Sequence, residues 1–317
     1  MKLKKYIWPA IGLIAVGFSA MLLYDELRHT SLEDVGEGLA SITPLHWLLA
    51  VVCAVCAYAA LAGYDHIALM HLKRRVPWPF VTLCSFTTYA LSHNLGGSVL
   101  SGAVIRYRAY GSKGLTMQEV GVLVGLCSLT FALSIMLLTG LVLLWEPGLL
   151  DRFADLPHLP LSAGVGVIML VIVGAYILGS ILHLPPLRLG RFTLAYPEPQ
   201  IVARQLIIGP LEIMAAAAII YFALPGVDNP GYIVILGVFL VSFSAALLSH
   251  APGGLGVLEL VFVQGLSDVD PASVMAALVV FRLLYLIIPL VAAIGVVIGF
   301  ERSQLGRSLD NTLGPTG

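Results

Sequence analysis

"ALSHNLGGSVL", residues 90–100, and "LLSHAPGGLGV", residues 247–257, interrupt two apolar runs in the same way. Each reads Leu-Ser-His, two variable residues, then Gly-Gly, and His93 and His250 stand 157 positions apart (250 − 93). Such a break is expensive if the surroundings are lipid, because backbone N–H and C=O groups at membrane depth need partners inside the protein or water in a cavity. What the two breaks mean therefore depends on where the chain resides.

Composition settles the surroundings. Of 317 residues, 59% are hydrophobic and only 11% charged, and mean hydropathy is +0.95. Soluble domains carry roughly a quarter charged residues, so the chain reads as an all-α integral membrane protein. A net charge of −1 and the lack of a basic aromatic surface argue against a nucleic-acid partner. Cys53, Cys56, Cys84 and Cys127 all lie within apolar runs. No further metal ligands accompany the Cys53–Cys56 pair, so the thiols read as small packed residues, with no cofactor and no metal.

Crossing a bilayer takes roughly 20 apolar residues at about 1.5 Å each. Six runs qualify: about 7–24, 45–71, 118–145, 161–183, 204–224 and 272–300. Loop charge gives their direction. Lys2, Lys4 and Lys5 place the N-terminus in the cytoplasm, and the acidic loop 25–44 lies outside. Loops 72–79, 106–117 and 184–203 are basic and inside; 146–160, 225–230 and 267–270 lack that excess and fit outside. The basic start followed by "YDELRH", with no small-residue cleavage site, reads as a retained helix rather than a signal peptide.

This alternation closes only if stretches 80–105 and 231–267 each return to the side they came from. Both are expected to be re-entrant helical hairpins with Gly-Gly at the tip. A shift of 157 then lays Leu91-Ser92-His93 on Leu248-Ser249-His250 and Gly96-Gly97 on Gly253-Gly254, with Tyr64 on Tyr221. The spans superpose as well, in opposite directions. The reading is one membrane domain, 1–302, made of two halves (about 1–146 and 158–302) inverted across the membrane, followed by a polar cytoplasmic tail, 303–317. Inverted repeats with paired broken helices are a transporter design.

The breaks suggest chemistry. A helix restarting after Gly96-Gly97 or Gly253-Gly254 offers free N–H groups with partial positive charge, and glycine lets an anion approach them closely. The plainer reading is that these glycines permit tight packing. Ionisable residues at membrane depth are costly and usually functional. Arg282 falls roughly 16 Å into its helix, near the midplane, and Glu212 and Asp65 roughly 12 Å deep. Glu259 follows the second Gly-Gly and Arg106 ends the first broken stretch. Glu259 or Glu212 is the expected partner of Arg282. Structural ion pairs are the competing reading for these charges. His93 and His250 either relay protons or satisfy backbone groups at the tips, and with Asn94 and the paired glycines they are candidate substrate-binding residues.

The five charged residues lie within "GYD" (63–65), "LGGSVLSGAVIRYRAY" (95–110), "PLE" (210–212), "APGGLGVLE" (251–259) and "FRLLYLIIP" (281–289). The set resembles the transmembrane flippase region of lysylphosphatidylglycerol synthases, the multiple peptide resistance factor family. The resemblance implies movement of a phospholipid, aminoacylated or otherwise headgroup-modified, between leaflets, with Asp65, Arg106, Glu212, Glu259 and Arg282 as functional positions. Those synthases continue into a soluble aminoacyl-transferase domain, whereas this sequence ends in "ERSQLGRSLDNTLGPTG". The expectation is a stand-alone, non-enzymatic member in the plasma (inner) membrane, with both termini cytoplasmic. A membrane phospholipid is its expected partner, with room for a homo-oligomer and for a separate lipid-modifying enzyme. The alternative is a proton- or ion-coupled transporter of a small anionic solute. An intramembrane lipid enzyme is disfavoured because no H-E-x-x-H or G-x-S-x-G pattern occurs. A purely structural assembly factor leaves the deep charges unexplained.

Overall fold

A computed structural model of the chain describes residues 32–313 apart from 96–97, 154–160, 186, 190–191, 195, 227–228 and 250. The expected span at 7–24, and Gly96, Gly97 and His250, lie outside the described residues. The helices are α1 (Leu32–Ser41), α2 (Pro44–His71), α3 (Trp78–Leu95), α4 (Ser98–Gly111), α5 (Met117–Trp145) and α6 (Leu161–Ile181). They continue with α7 (Pro199–Ala223), α8 (Tyr232–Ser249), α9 (Val257–Gly265), α10 (Pro271–Phe281) and α11 (Ile288–Leu313). A π-helical segment, Arg282–Ile287, joins α10 to α11 without a break.

Six described helical stretches are long and apolar enough to cross a membrane by length and composition. Five coincide with expected spans. The sixth is Tyr232–Ser249, the first arm of the second broken stretch, which reaches spanning length with 18 residues. The fold is all-α as expected, with one short hairpin in a loop. Between α6 and α7, strands β1 (Leu187–Leu189) and β2 (Phe192–Leu194) pair antiparallel. A segment too short and too polar to cross can still satisfy its backbone by pairing with itself.

Local chemistry starts and stops the helices. Thr43 caps α2 by accepting from the His46 N–H at 3.4 Å, and Pro44 fills the first helical position. Lys73, at φ 55°, turns the chain away from the end of α2. Thr116 and Glu119 form a capping box at the start of α5. Glu119 also accepts from Arg74 Nε at 2.7 Å. The end of α2 and the start of α5 therefore share one end of the bundle, and α3 and α4 lie between them in sequence.

The opposite end is tied by the segment after α5. An added Cβ on Gly237, near the start of α8, would come within 2.5 Å of Leu149, and one on Gly265, at the end of α9, within 2.7 Å of Phe153. Arg152 donates to both oxygens of Asp268, at 2.8 and 3.1 Å, and to the Gly265 carbonyl at 3.1 Å. These bonds hold the Asp268 carboxyl below the usual carboxylate range. Hence α8 begins and α9 ends beside the same loop.

At the centre α2 lies along α7, with α5 across them. Small residues set the spacing, since close backbone approach is what drives helix association in lipid. Gly63 faces Ile208 where a Cβ would sit at 2.8 Å, and Gly209 leaves no room for one beside Ser134. Around this seam Tyr58, Phe239, Phe262, Phe281 and Tyr285 form the main core. Val167, Ile168, Val171 and Ile172 of α6 are exposed, as expected where the neighbour is lipid rather than protein.

Candidate functional site

Asp65, on the buried face of α2, is fully enclosed. Arg106 reaches it from α4 in a fork, with Nε at 3.2 Å from both oxygens and Nη2 at 2.6 Å from Oδ1. Tyr110, one turn beyond Arg106, donates to Oδ2 at 2.8 Å. Cys127 of α5 places Sγ 3.5 Å from Oδ1. The guanidinium also lies over the Tyr89 ring, 4.8 Å from its centroid. A fork-shaped cation, a carboxylate and a hydroxyl thus neutralise and saturate one another where neither charge could stand alone.

The second half holds its own pair. Arg282 donates from Nε to Glu259 Oε1 and from Nη1 to the Gly253 carbonyl at 3.1 Å. The other Glu259 oxygen accepts from the Gly256 N–H at 2.8 Å. Of the two partners expected for Arg282, Glu259 is the one it takes. Gly253, Gly254 and Gly256 all adopt positive φ, between 60° and 78°, a backbone state that favours glycine. Any side chain at Gly254 would also meet Ala246. At the start of α9 the chain's own Glu259 carboxylate thus takes the Gly256 N–H.

Glu212 of α7 differs from both. Tyr285 donates to Oε1, and the Tyr64 hydroxyl lies 3.4 Å from Oε2 and 3.4 Å from the Gly209 carbonyl. Its partners among the described residues are hydroxyls, not cations. Glu212 is only 4% exposed.

A cavity of about 230 Å³ lies between Arg106 and Glu212. Tyr64, Tyr89, His93, Arg106 and Glu212 form its polar wall, and Phe131 and Phe243 face it from the apolar side. His93 stacks on Tyr285 with centroids 5.3 Å apart, and its Nδ1 has no hydrogen-bond partner among the described residues. Asn94 does not face the cavity. It donates to the Ala90 carbonyl at 2.8 Å and to the Leu286 carbonyl at 3.2 Å. The hydroxyl of Tyr58 takes the neighbouring Tyr285 carbonyl at 2.9 Å. Two side chains from the first half thus hold carbonyls of the π-helical segment in the second, a helix form that concentrates at functional sites.

Asp65, Arg106, Glu212, Glu259 and Arg282 are all brought into the protein interior, but as two ion pairs and a separate carboxylate. Tyr64, Tyr89, Tyr110, Tyr285 and Cys127 complete the site and were not singled out as site residues. Tyr110 had a signal: four positions after Arg106, it shares that helix face. Cys127 had none, because its partner Asp65 is 62 positions away. No group of three or more His, Cys, Asp or Glu placed to hold a metal occurs among the described residues.

A bundle of spanning helices with ionisable groups enclosed at its centre is a multi-pass α-helical membrane protein. Residues 10–293 match the family described as lysylphosphatidylglycerol synthase TM region, and the chain belongs to that family. The inner membrane protein YbhN of Escherichia coli is 29% identical over 92% of this chain and 91% of its own length. The Synechocystis protein slr0712 is 28% identical over 92% and 91%. The phosphatidylglycerol lysyltransferase of Staphylococcus haemolyticus is 26% identical over 93% of this chain but only 34% of its own length.

Proposed function

We propose that the protein moves a phospholipid between membrane leaflets, carrying the headgroup through its centre while the acyl chains stay in lipid. One observation carries this reading. The cavity is walled by both halves, with Arg106, Tyr89 and His93 from one and Glu212 and Phe243 from the other. A largely apolar chamber with a few convergent polar groups, set between two halves, is where a transporter binds its cargo.

The repeat supports the same reading. A shift of 157 lays α2 over 201–228 and α3 over 235–252, close to α7 and α8. It lays α4 over 255–268, on α9, and α5 over 274–302, on α10 and α11. The Arg74–Glu119 contact brings the chain back to one end of the bundle after α3 and α4. The Leu149–Gly237 and Phe153–Gly265 contacts do so after α8 and α9. We read both pairs as re-entrant hairpins entering from opposite faces.

An apolar groove of about 590 Å³ runs outside the first pair, lined by Leu83, Leu91, Val104, Val296 and Phe300 with Arg108 on its wall. It suits an acyl chain whose headgroup sits further in. Lipid phosphate would pair with Arg106 or Arg282, and the Asp65 or Glu259 carboxylate that it displaces would take a cationic part of the headgroup or a proton, so that neither charge is left bare. The lysyltransferase relatives are named for a phosphatidylglycerol reaction; for this chain the proposal is transport, with the headgroup open.

The test is reconstitution in liposomes carrying labelled phospholipids of several headgroups, with wild type beside Arg282→Ala and Glu259→Gln. Faster leaflet exchange for at least one headgroup, lost in both variants, is the expected result. No acceleration for any headgroup would falsify the translocator reading.

A further inference from the structure

The geometry points to Glu212 as a proton-binding site, the position at which a proton enters and leaves during the transport cycle. The inference rests on the translocator reading for what the proton drives, but not for where it binds.

Three carboxylates, Asp65, Glu212 and Glu259, are buried, and they are not equivalent; of the three, Glu212 lines the chamber. Asp65 has the Arg106 fork and Glu259 has Arg282, so each is held as half of a neutral pair. Glu212 has two tyrosine hydroxyls. A carboxylate in a low-dielectric interior with no cation beside it reaches neutrality by binding a proton.

The partners can serve both protonation states without moving a heavy atom. With Glu212 ionised, Tyr64 and Tyr285 each donate one hydrogen bond to it. With Glu212 protonated on Oε2, its new O–H donates to the Tyr64 hydroxyl oxygen. Tyr64 then turns its own hydrogen to the Gly209 carbonyl, 3.4 Å away. Tyr285 continues to donate to Oε1. The balance is one proton from water gained and one carboxylate converted to a carboxylic acid.

The neighbours are mostly uncharged. Tyr58 and Tyr64 come from α2, Tyr89 and His93 from α3, Cys127 from α5 and Tyr285 from the π-helical segment. On α7 itself, Gln205 accepts from Tyr176 of α6, and the Met214 carbonyl accepts from Tyr232 of α8. α10 carries no titratable side chain. The cation on the chamber, Arg106, is engaged by Asp65. His93 adds a ring nitrogen on the same wall that has no partner among the described residues, which a chamber water could use to reach Glu212.

Infrared difference spectroscopy tests this on the full chain in phosphatidylcholine vesicles, between neutral and alkaline buffer. A carboxylic-acid C=O band should be present at neutral pH, fade on alkalinisation and shift in heavy water. Glu212→Gln should remove it, while Glu259→Gln leaves it in place. Tyr285→Phe, which takes away one donor but no carboxyl, should shift the band without abolishing it. A wild-type spectrum with no titrating carboxylic band, or a band that survives Glu212→Gln, overturns the proposal. Because this readout needs no cargo, a protein that binds the proton but moves no lipid would sink the translocator reading alone.

Discussion

Arg106 grips Asp65 across 41 positions of sequence, with Nη2 2.6 Å from one carboxylate oxygen and Nε 3.2 Å from both. Each is the reason the other can be buried. Asp65→Asn should therefore cost about 3–5 kcal/mol, the penalty for stranding the partner charge. The double variant Asp65→Asn/Arg106→Gln should recover part of that loss. Thermal unfolding in detergent measures both, and a double variant no more stable than the worse single one would show that the pair is not the unit of stability.

Arg282 uses two different nitrogens, one on Glu259 and one on the Gly253 carbonyl. Lysine keeps the charge but lacks the fork. Arg282→Lys is expected to fold and to slow lipid movement by about tenfold, the factor carried by about 1.4 kcal/mol of lost interaction. Wild-type rates in this variant would mean that charge alone suffices there.

Sidedness is directly measurable. Single cysteines introduced at Lys113 and Asp268, in a background without Cys53, Cys56, Cys84 and Cys127, should react with impermeant reagent from opposite faces. Labelling from one face would remove the inverted repeat.

Gly209 packs so tightly that a Cβ would sit 1.8 Å from Ser134 Oγ. Gly209→Ala should lose about 1–3 kcal/mol through overpacking. Gly125→Ala, where nothing lies within 4 Å of the added carbon, is the control; helix propensity alone makes it neutral or better by about 0.5–1 kcal/mol. Equal effects from the two would contradict the packing argument.

Much of the fold could be read in the sequence because lipid imposes its own rules. Run length located five of the spans, and loop charge grouped the loops that the Arg74–Glu119 and Arg152–Asp268 contacts now tie together. The five ionisable positions stood out because charge is so scarce. Their pairing did not, since Arg106 and Asp65 meet only through tertiary packing and either acid could have answered Arg282 by depth alone. The tyrosines stayed hidden for another reason. An aromatic residue in an apolar helix has the same sequence signature whether its hydroxyl meets a carboxylate, as in Tyr285, or a backbone carbonyl, as in Tyr232.

The π-helical segment at Arg282–Ile287 divides one continuous helix between two solvents. Before it, Ala276, Ala277, Leu278, Val280 and Phe281 are enclosed by protein, with Val279 exposed among them. After it, Ala293 stays covered while Ile288, Val291, Ile294 and Ile298 face outward. The wide turn is the seam at which a helix immersed in protein becomes a helix immersed in lipid. Arg282 and Tyr285 sit on that seam, so a single element carries the polar interior to the edge of the bilayer.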